Sequence, residues 1–343
     1  MVEKPSEVLL TFVVPCYNVE RYIQRCLDSI FACGLEEDCF EVLCVNDCSP
    51  DNTQAILERN RGKHNNLKVI IHKSNQGLGG ARNTGIREAM GKYLWFVDSD
   101  DLVTAQGIKD LIQKIVDQDL DVLCFNYRRV DEEGKELSTH QVFKNTSSQD
   151  GNTFVKTVFG MGIVNHMGYV WRFIYKTEFL WQHQLFFPEH VRWEDTVFMP
   201  KALLEAGRVA AVPNVMYSYR VNANSISGAF GSAYPASSIY EFAFCAGIDL
   251  LKFSEEITDK ELCTAFRDAA IQKYINGFSI CLLRTSKRER KLFFALVKER
   301  EEEMRPMKKY LNILNRVMLI PLVGSLATNL MSKVYKMKHG SIK

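Results

Sequence analysis

Residues 93–101 read YLWFVDSDD, so five apolar or aromatic side chains are followed at once by Asp98, Ser99, Asp100 and Asp101. A continuous apolar run of this length predicts a strand that is buried on both faces. Mg²⁺ and Mn²⁺ prefer oxygen ligands, and Mg²⁺ is commonly shared between one or two carboxylates and substrate phosphates. Asp98 and Asp100 are therefore candidate ligands of such a cation. A solvated turn, or a cap of the next helix, is the alternative.

Strands and helices alternate on both sides of this stretch. Further strands are predicted at 8–15, 40–45, 67–72 and 122–127, and helices at 19–31, 53–59, 81–89 and 108–118. This alternation predicts an α/β fold, in which helices flank a mostly parallel sheet. In such sheets ligands bind beyond the carboxyl ends of the strands. Because polar clusters at 15–18, 46–49 and 98–101 all stand at predicted strand ends, we expect them to form one site.

The composition limits the class of protein. The chain has 343 residues, of which 46% are hydrophobic and 24% charged. These values exclude a disordered chain, a collagen-like fibre and a small disulfide scaffold, and the length allows two domains or one large α/β unit. The ten cysteines show no C-x-x-C spacing, and the N-terminus lacks the apolar core of a signal peptide. We therefore expect reduced thiols, no transmembrane helix and a cytoplasmic location.

Charge is unevenly distributed along the chain. The formal net charge is +2, yet residues 284–343 hold 15 Lys and Arg against 5 Asp and Glu. Such asymmetry is typical of a tail that meets nucleic acid or an anionic membrane. Within 308–343 the apolar part is too short and broken to span a bilayer, and lysines flank it. We predict peripheral contact of this tail with the inner face of the cell membrane, and no nucleic acid partner; packing on protein is the alternative.

Three further polar features precede or follow predicted strands. Residues 77–83, GLGGARN, predict a glycine-rich turn over 77–80 that opens a helix, where backbone can approach an anion. Arg82 suits the phosphates or base of a nucleotide. Asp47 can accept a hydrogen bond from a base or ribose, and Tyr17 can supply an aromatic surface. The alternatives are a tight turn, a helix cap and ordinary packing.

Glu194 and Asp195 form a second acidic pair, far along the chain from the first. A carboxylate beside the anomeric carbon of a sugar can act as a general base toward a hydroxyl. Acids are also favoured in the first turn of a helix, which explains the pair equally well. No serine or cysteine stands in a pattern typical of a catalytic nucleophile.

The order of these motifs resembles glycosyltransferase family 2, whose members have the GT-A fold. The matching segments are 13–18 (VVPCYN), 45–49 (VNDCS), 75–83 (NQGLGGARN), 96–101 (FVDSDD), 171–176 (WRFIYK), 194–195 (ED) and 217–220 (YSYR). The resemblance implies a GT-A domain over 1–230, with a nucleotide-sugar-binding half at 1–130 and an acceptor half at 131–230. No motif matches beyond residue 230, where we expect a helical region, 231–307, before the tail at 308–343.

The resemblance also implies an activity. The family transfers a sugar from a nucleoside diphosphate, UDP by family habit, to an acceptor hydroxyl with inversion, and Mg²⁺ or Mn²⁺ is the expected cofactor. The acceptor would be a saccharide or a lipid-linked saccharide, in the synthesis of cell-surface polysaccharide, capsule or lipopolysaccharide. A nucleotidyltransferase and a non-catalytic nucleotide-sugar-binding protein are the alternatives.

Individual roles follow from the matching positions. The donor-binding residues so implied are Pro15, Tyr17, Asp47, Arg82, Asp98, Ser99 and Arg220, with Ser225 and Ser227 near the diphosphate. The catalytic, metal and acceptor roles fall on Asp195 with Glu194, on Asp100 with Asp98, and on Trp171 with Arg172. One departure is Cys48, which stands where many members have glycine, so the geometry of that turn is in question.

Overall fold

We describe the protein from a computed structural model. It describes residues 8–159, 169–189, 193–221, 236–241, 245–284, 286–299, 302 and 305. The chain divides into two compact units, the first comprising 1–160 and 166–222 and the second 161–165 and 223–343. Ser225, Ser227 and the basic tail at 308–343 lie outside the described residues.

The described part of the first unit is built on a nine-stranded sheet. Its strands are β1 (Leu10–Cys16), β2 (Phe40–Asn46), β3 (Leu67–Ile71), β4 (Tyr93–Phe96), β5 (Leu102–Val103), β6 (Val122–Val130), β7 (Glu136–His140), β8 (Phe173–Lys176) and β9 (Val209–Arg220). They lie in the order β3-β2-β1-β4-β8-β6-β9-β5, and β7 pairs with β6. The strands β3, β2, β1 and β4 are parallel, as predicted. The other half is mixed, because β8 runs antiparallel to both β4 and β6.

Helices connect and flank these strands. In the first unit they are α1 (Ile23–Phe31), α2 (Thr53–Arg61), α3 (Gly77–Glu88), α4 (Ile108–Asp117), α5 (Gly151–Phe154), α6 (Thr177–Gln182) and α7 (Asp195–Glu205). Helix α1 buries Ile23, Cys26, Leu27 and Ile30. This spacing is the amphipathic period that predicted the helix from the sequence.

The glycine-rich stretch is the first turn of α3, so the prediction of a separate turn over 77–80 is wrong. A Cβ atom added to Gly79 would stand 2.5 Å from the carbonyl oxygen of Pro188, and one added to Gly85 would stand 2.1 Å from Cγ1 of Val13. These glycines are needed because the helix packs closely on its neighbours. Glycine in a helix ordinarily disfavours it, and here tertiary packing outweighs that preference.

The sheet order positions the site. Since β2, β1 and β4 are neighbours and parallel, their carboxyl ends meet at one edge. Every residue of β1 and β2 is buried. The polar segments 46–49 and 98–101 therefore begin at the same edge of this buried part of the sheet, as the sequence predicted.

The second unit is helical where it is described. Its helices are α8 (Ala236–Tyr240), α9 (Ala246–Glu256), α10 (Lys260–Arg284) and α11 (Lys287–Glu299). Phe253 of α9 and Phe266 of α10 pack edge to face, with ring centroids 5.7 Å apart. Among the residues that the structure describes, no helix is both long and apolar enough to cross a membrane.

Candidate active site

The segments that follow β1 and β2 are hydrogen-bonded to each other. The backbone N–H of Asp47 donates to the carbonyl oxygen of Cys16 at 2.8 Å, and that of Asn18 donates to Oγ of Ser49 at 3.2 Å. Asn18 and Cys48 have φ values of +56° and +60°. Both residues thus occupy the left-handed region that glycine favours, so Cys48 takes up a glycine-like conformation in spite of its side chain.

The donor-binding residues predicted around these loops differ in exposure. Tyr17 is 51% exposed, so its ring is accessible beside the strand ends. Pro15 is buried within β1, and Ser99 is buried after β4.

Asp47 is buried and fixes the start of α3. The backbone N–H of Gln76 donates to Oδ1 at 2.8 Å, that of Gly77 donates to Oδ2 at 2.8 Å, and Nδ1 of His72 lies 2.7 Å from Oδ1. The first N–H groups of a helix lack partners within it, so Asp47 caps α3. The helix-cap alternative thus holds for α3. A carboxylate oxygen can accept two hydrogen bonds, and Oδ2 retains capacity for one more.

Arg82 joins two acidic segments that are far apart in the sequence. Its Nη2 donates to Oδ1 of Asp98 at 2.8 Å, and its Nη1 donates to Oε1 of Glu194. Burial lowers the pKa of an arginine, but the charges of Asp98 and Glu194 outweigh burial, so the pKa of Arg82 is raised. The ring of Phe187 lies 5.3 Å from the guanidinium carbon. Arg82 therefore holds the end of β4 beside the start of α7.

The acidic segment after β4 is also anchored to β9. The hydroxyl of Tyr217 accepts a hydrogen bond from the backbone N–H of Asp98 at 3.0 Å and donates to Oδ2 of Asp101 at 2.8 Å. The backbone N–H of Arg220 donates to Oδ1 of Asp101 at 2.7 Å. Asp101 and Tyr217 thus hold the acidic segment in place, and neither residue was assigned a role from the sequence. The only signals were a third acid after the strand and the first tyrosine of the segment 217–220.

Asp100 and Asp98 lie close enough to affect each other. Burial and the charge of Asp98 raise the pKa of Asp100 to about 6. Burial and both neighbouring acids also raise the pKa of Asp101. Clustered carboxylates of this kind are stabilised by a bound cation.

The donor set can be tested against a divalent metal. Among the described residues, no group of three His, Cys, Asp or Glu side chains could hold a metal ion. Two carboxylates, Asp98 and Asp100, fit the other common arrangement, in which Mg²⁺ is bound by one or two carboxylates and by substrate phosphates. The residues present are compatible with such an ion only when a phosphate completes its ligands.

Arg220 is buried beside the acidic segment. Its Nη1 donates to the carbonyl oxygen of Glu132 at 3.4 Å, and its guanidinium carbon lies 5.3 Å from the ring centroid of Tyr22. Its Nε and Nη2 have no hydrogen-bond partner. Its charge acts on Asp100, whose pKa it lowers against the larger effect of burial. A buried cation with unmet donors near two carboxylates can receive an anionic ligand.

The predicted acceptor residues lie in an aromatic cluster. Trp171 stacks on Tyr217, with centroids 4.3 Å apart and planes at 7°, and on Tyr169 at 5.1 Å and 26°. Arg172 is buried, with its guanidinium carbon 5.0 Å from the ring of Tyr127. The stack on Tyr217 connects Trp171 to the support of the acidic segment.

The two acids at the start of α7 differ in environment. Glu194 is buried and paired with Arg82, whereas Asp195 is partly exposed and is the first residue of the helix. The charge of Asp195 raises the pKa of Tyr169, after the larger effect of burial, so the two side chains lie near each other. Asp195 directly follows Glu194, the partner of Arg82, and the start of the helix also favours an acid there electrostatically.

Two curated relatives are similar to this chain. EpsJ of Bacillus subtilis (strain 168), described as an uncharacterized glycosyltransferase, is 33% identical over 226 residues, which cover 64% of this chain and 63% of EpsJ. The poly(ribitol-phosphate) beta-N-acetylglucosaminyltransferase TarS of Staphylococcus aureus (strain Mu50) is 29% identical over 267 residues, covering 77% of this chain and 43% of TarS. The matched stretch thus spans less than two thirds of either relative.

One solved structure and one family model also match this chain. The crystal structure of Staphylococcus aureus TarS 1–349 in complex with UDP-GlcNAc superposes with a TM-score of 0.67 at 23% identity, covering 96% of this chain and 92% of that one. This likeness shows the GT-A fold. The model of glycosyl transferase family 2 matches residues 11–183, which include the ends of β1, β2 and β4 with their polar segments. Sequence match, fold and the position of the acidic segments agree, and the chain belongs to glycosyl transferase family 2.

Proposed function

We propose that the protein is a metal-dependent, inverting glycosyltransferase. It moves a sugar from a nucleoside diphosphate, UDP, to a hydroxyl of a saccharide or lipid-linked saccharide during synthesis of a cell-surface polymer. The observation that carries this proposal is the bridge of Arg82 between Asp98 and Glu194. Asp98 belongs to the acidic segment suited to a nucleotide diphosphate, and Glu194 directly precedes Asp195, the acid suited to an acceptor hydroxyl. The bridge therefore supports one site that contains both.

The donor half of the site is assigned from the strand ends. Asp47 offers the remaining capacity of Oδ2 to a base, and the exposed ring of Tyr17 can pack on it. Asp98 accepts from the ribose. The UDP-GlcNAc complex of TarS supports a uridine carrier, and its poly(ribitol-phosphate) acceptor supports a cell-surface polymer as the product.

In this assignment, the negative charge of the leaving diphosphate is neutralised both by a metal ion and by Arg220. Asp100, with Asp98, would hold Mg²⁺ or Mn²⁺, which when bound supplies positive charge to the leaving group. Arg220 donates its unpartnered Nε and Nη2 to the same diphosphate. Both arrangements favour the transition state over the intact donor, because negative charge develops on the diphosphate as the bond breaks.

Asp195 is the general base in this assignment. Glu194 is occupied by its ion pair with Arg82, so it positions the bridge and is a poor proton acceptor. Asp195 is partly exposed and near Tyr169, where an acceptor would arrive. Inversion requires a single displacement with one base, and no protein nucleophile is needed.

The first test offers a panel of nucleotide sugars to the purified full-length protein, with and without Mn²⁺. We expect metal-dependent binding of one donor, measured by titration calorimetry, and slow hydrolysis of the same donor. Failure of a folded sample to bind any donor would instead favour the non-catalytic alternative. The nucleotidyltransferase alternative has no support from the family match.

Substitution Asp195→Asn tests the base. It keeps the size of the side chain and removes its basicity, so we expect transfer to fall by at least about 10²-fold while donor affinity is retained. The matched control is Glu205→Gln at the exposed end of the same helix, which should leave both quantities unchanged. Full transfer by Asp195→Asn would exclude Asp195 from the mechanism.

A further inference from the structure

One face of the sheet carries aromatic rings and arginines together. In β6 and its neighbours, Tyr127 is paired with His140 and Tyr217, and Arg129 is paired with Tyr219. Side chains alternate along a strand and cross-strand partners share a face, so these residues lie on one side of the sheet. Together with three residues before β8, they form a surface that we call the acceptor face: Arg129, His140, Tyr169, Trp171, Arg172 and Tyr219.

The rings of this face are stacked and partly accessible. Trp171 lies over Tyr219 with centroids 5.8 Å apart and planes at 12°, and Tyr169 is 39% exposed. His140 stacks on Tyr127 at 4.7 Å and 2°. Flat aromatic surfaces with few polar groups are suited to bind the apolar face of a sugar or polyol chain.

The arginines of this face lack acidic partners. Arg172 is 2% exposed, and its Nε and Nη2 have no hydrogen-bond partner. Rings enclose it, since its guanidinium carbon lies 4.7 Å from the ring of Phe143 and 5.0 Å from that of Tyr127. Among the described residues, no carboxylate forms an ion pair with Arg129 or Arg172. A buried cation without a counter-charge costs free energy that a bound anion would recover.

The two guanidinium groups act on the same imidazole. Burial lowers the pKa of His140, and the charges of Arg129 and Arg172 lower it further. The guanidinium carbon of Arg172 lies 5.0 Å from the ring of Tyr127, and Arg129 is the next residue of β6 on the side of the sheet that carries Tyr127, so both arginines border one patch. Arg128, the residue between, points to the other side of the sheet, where its Nε donates to Oγ of Ser218 at 2.8 Å.

We propose that the acceptor face binds an acceptor that carries an anionic group, a phosphate or a carboxylate, held by Arg129 and Arg172. This inference rests on the proposed function and adds the substrate class. Arginine binds such groups through two parallel hydrogen bonds, and the geometry is lost with lysine. Asp195, the base of the proposed function, would accept the proton of a hydroxyl on this acceptor.

The experiment compares acceptors with and without an anionic group. Glycerol is compared with glycerol phosphate, and glucose with glucuronate, as acceptors of the full-length protein with its donor and Mn²⁺. We expect kcat/KM to be at least about tenfold higher for one or both charged acceptors than for their neutral counterparts. A preference for glycerol phosphate alone assigns a phosphate, and one for glucuronate alone assigns a carboxylate.

Variants then locate the anion site. We expect Arg129→Gln and Arg172→Lys each to reduce kcat/KM for the charged acceptor at least about tenfold, and to reduce kcat/KM for the neutral acceptor by a smaller factor. Arg128→Gln is the matched control from the opposite side of the same strand, and it should behave as wild type. Equal kcat/KM for charged and neutral acceptors, or equal effects of Arg128→Gln and Arg129→Gln, would overturn the inference.

A direct titration separates this inference from the proposed function. Binding of glycerol phosphate and glucuronate is measured calorimetrically without donor, so it requires no turnover. Donor binding and hydrolysis without any preference for charged acceptors would reject the anion site and leave the proposed function standing. Binding of a charged probe that Arg129→Gln weakens would support the anion site even if no donor binds.

Discussion

At the scale of single residues, Arg82 is a buried cation shared by two carboxylates that lie 96 residues apart in the chain. Such a group is costly to bury and costlier to leave half-paired. The sequence predicted a role for Arg82 in nucleotide binding. It did not indicate Glu194 as a partner, because a linear sequence pattern does not show which distant acid pairs with a given arginine.

Substitution Arg82→Gln should destabilise the protein by about 3–5 kcal/mol, because it leaves Glu194 buried without its counter-charge. The control is Arg87→Gln on the same helix, whose partner Glu189 is 3.7 Å away with both side chains about half exposed. That change should cost less than about 1 kcal/mol. Urea unfolding measures both variants, and equal midpoints would contradict the structural role of the bridge.

Cys48 keeps a left-handed conformation at φ +60° directly after Asp47. A non-glycine residue there costs about 1–2 kcal/mol, and glycine removes that cost while it loses some entropy on folding. Substitution Cys48→Gly should therefore stabilise the protein by about 0.5–1 kcal/mol. Cys48→Ala retains the Cβ atom and should show no gain in the urea midpoint. A similar gain in both variants would assign the effect to loss of the thiol.

At the scale of elements, the approach of α3 to β1 sets the position of Arg82. Gly85 faces Val13 so closely that its own Cβ would overlap the valine side chain. The turn predicted over 77–80 rested on the backbone freedom of glycine, whereas Gly85 was predicted within the helix and no packing role was assigned to it. A sequence pattern does not encode the close approach of another element, which is what requires glycine at positions 79 and 85.

Substitution Gly85→Ala should destabilise by about 1–3 kcal/mol through overpacking, although alanine ordinarily gains about 1 kcal/mol over glycine in a helix. Gly62→Ala, after α2, is the control, because its nearest neighbour would be 3.6 Å away. It should be neutral or slightly stabilising. Gly85→Ala should cost less free energy of unfolding when it is introduced into Val13→Ala than when it is introduced into the wild type. An equal cost in both backgrounds would place the strain elsewhere.

At the scale of the whole molecule, the sequence predicted the first half of the sheet well. Parallel strands buried on both faces are continuous apolar runs, and β1, β2 and β4 are of this kind. The second half was harder to predict. Strand β5 has only two residues, and the sheet there depends on antiparallel pairing of distant segments, as in β8 with β4 and β6. The support of Asp101 by Tyr217 could not be predicted for the same reason.

Membrane contact of the tail at 308–343 stays a prediction, and it can be tested with the whole chain. Removal of these residues should lower sedimentation with vesicles that contain anionic lipid, because the tail joins an apolar segment to flanking lysines. Neutral vesicles are the control. Salt should weaken binding of the full chain to anionic vesicles and should leave its binding to neutral vesicles unchanged. Unchanged partition after truncation would favour packing of the tail on protein.

The anchoring of Asp101 by Tyr217, 116 residues later, also has a meaning in time. During synthesis the acidic segment leaves the ribosome on the order of ten seconds before its anchors exist. In the nascent chain the acidic segment therefore lacks its hydrogen bonds to Tyr217 and Arg220 until β9 has been made and has joined the sheet. The proposed diphosphate site would be complete only when nearly the entire first unit is present, so incomplete chains are expected to bind no donor.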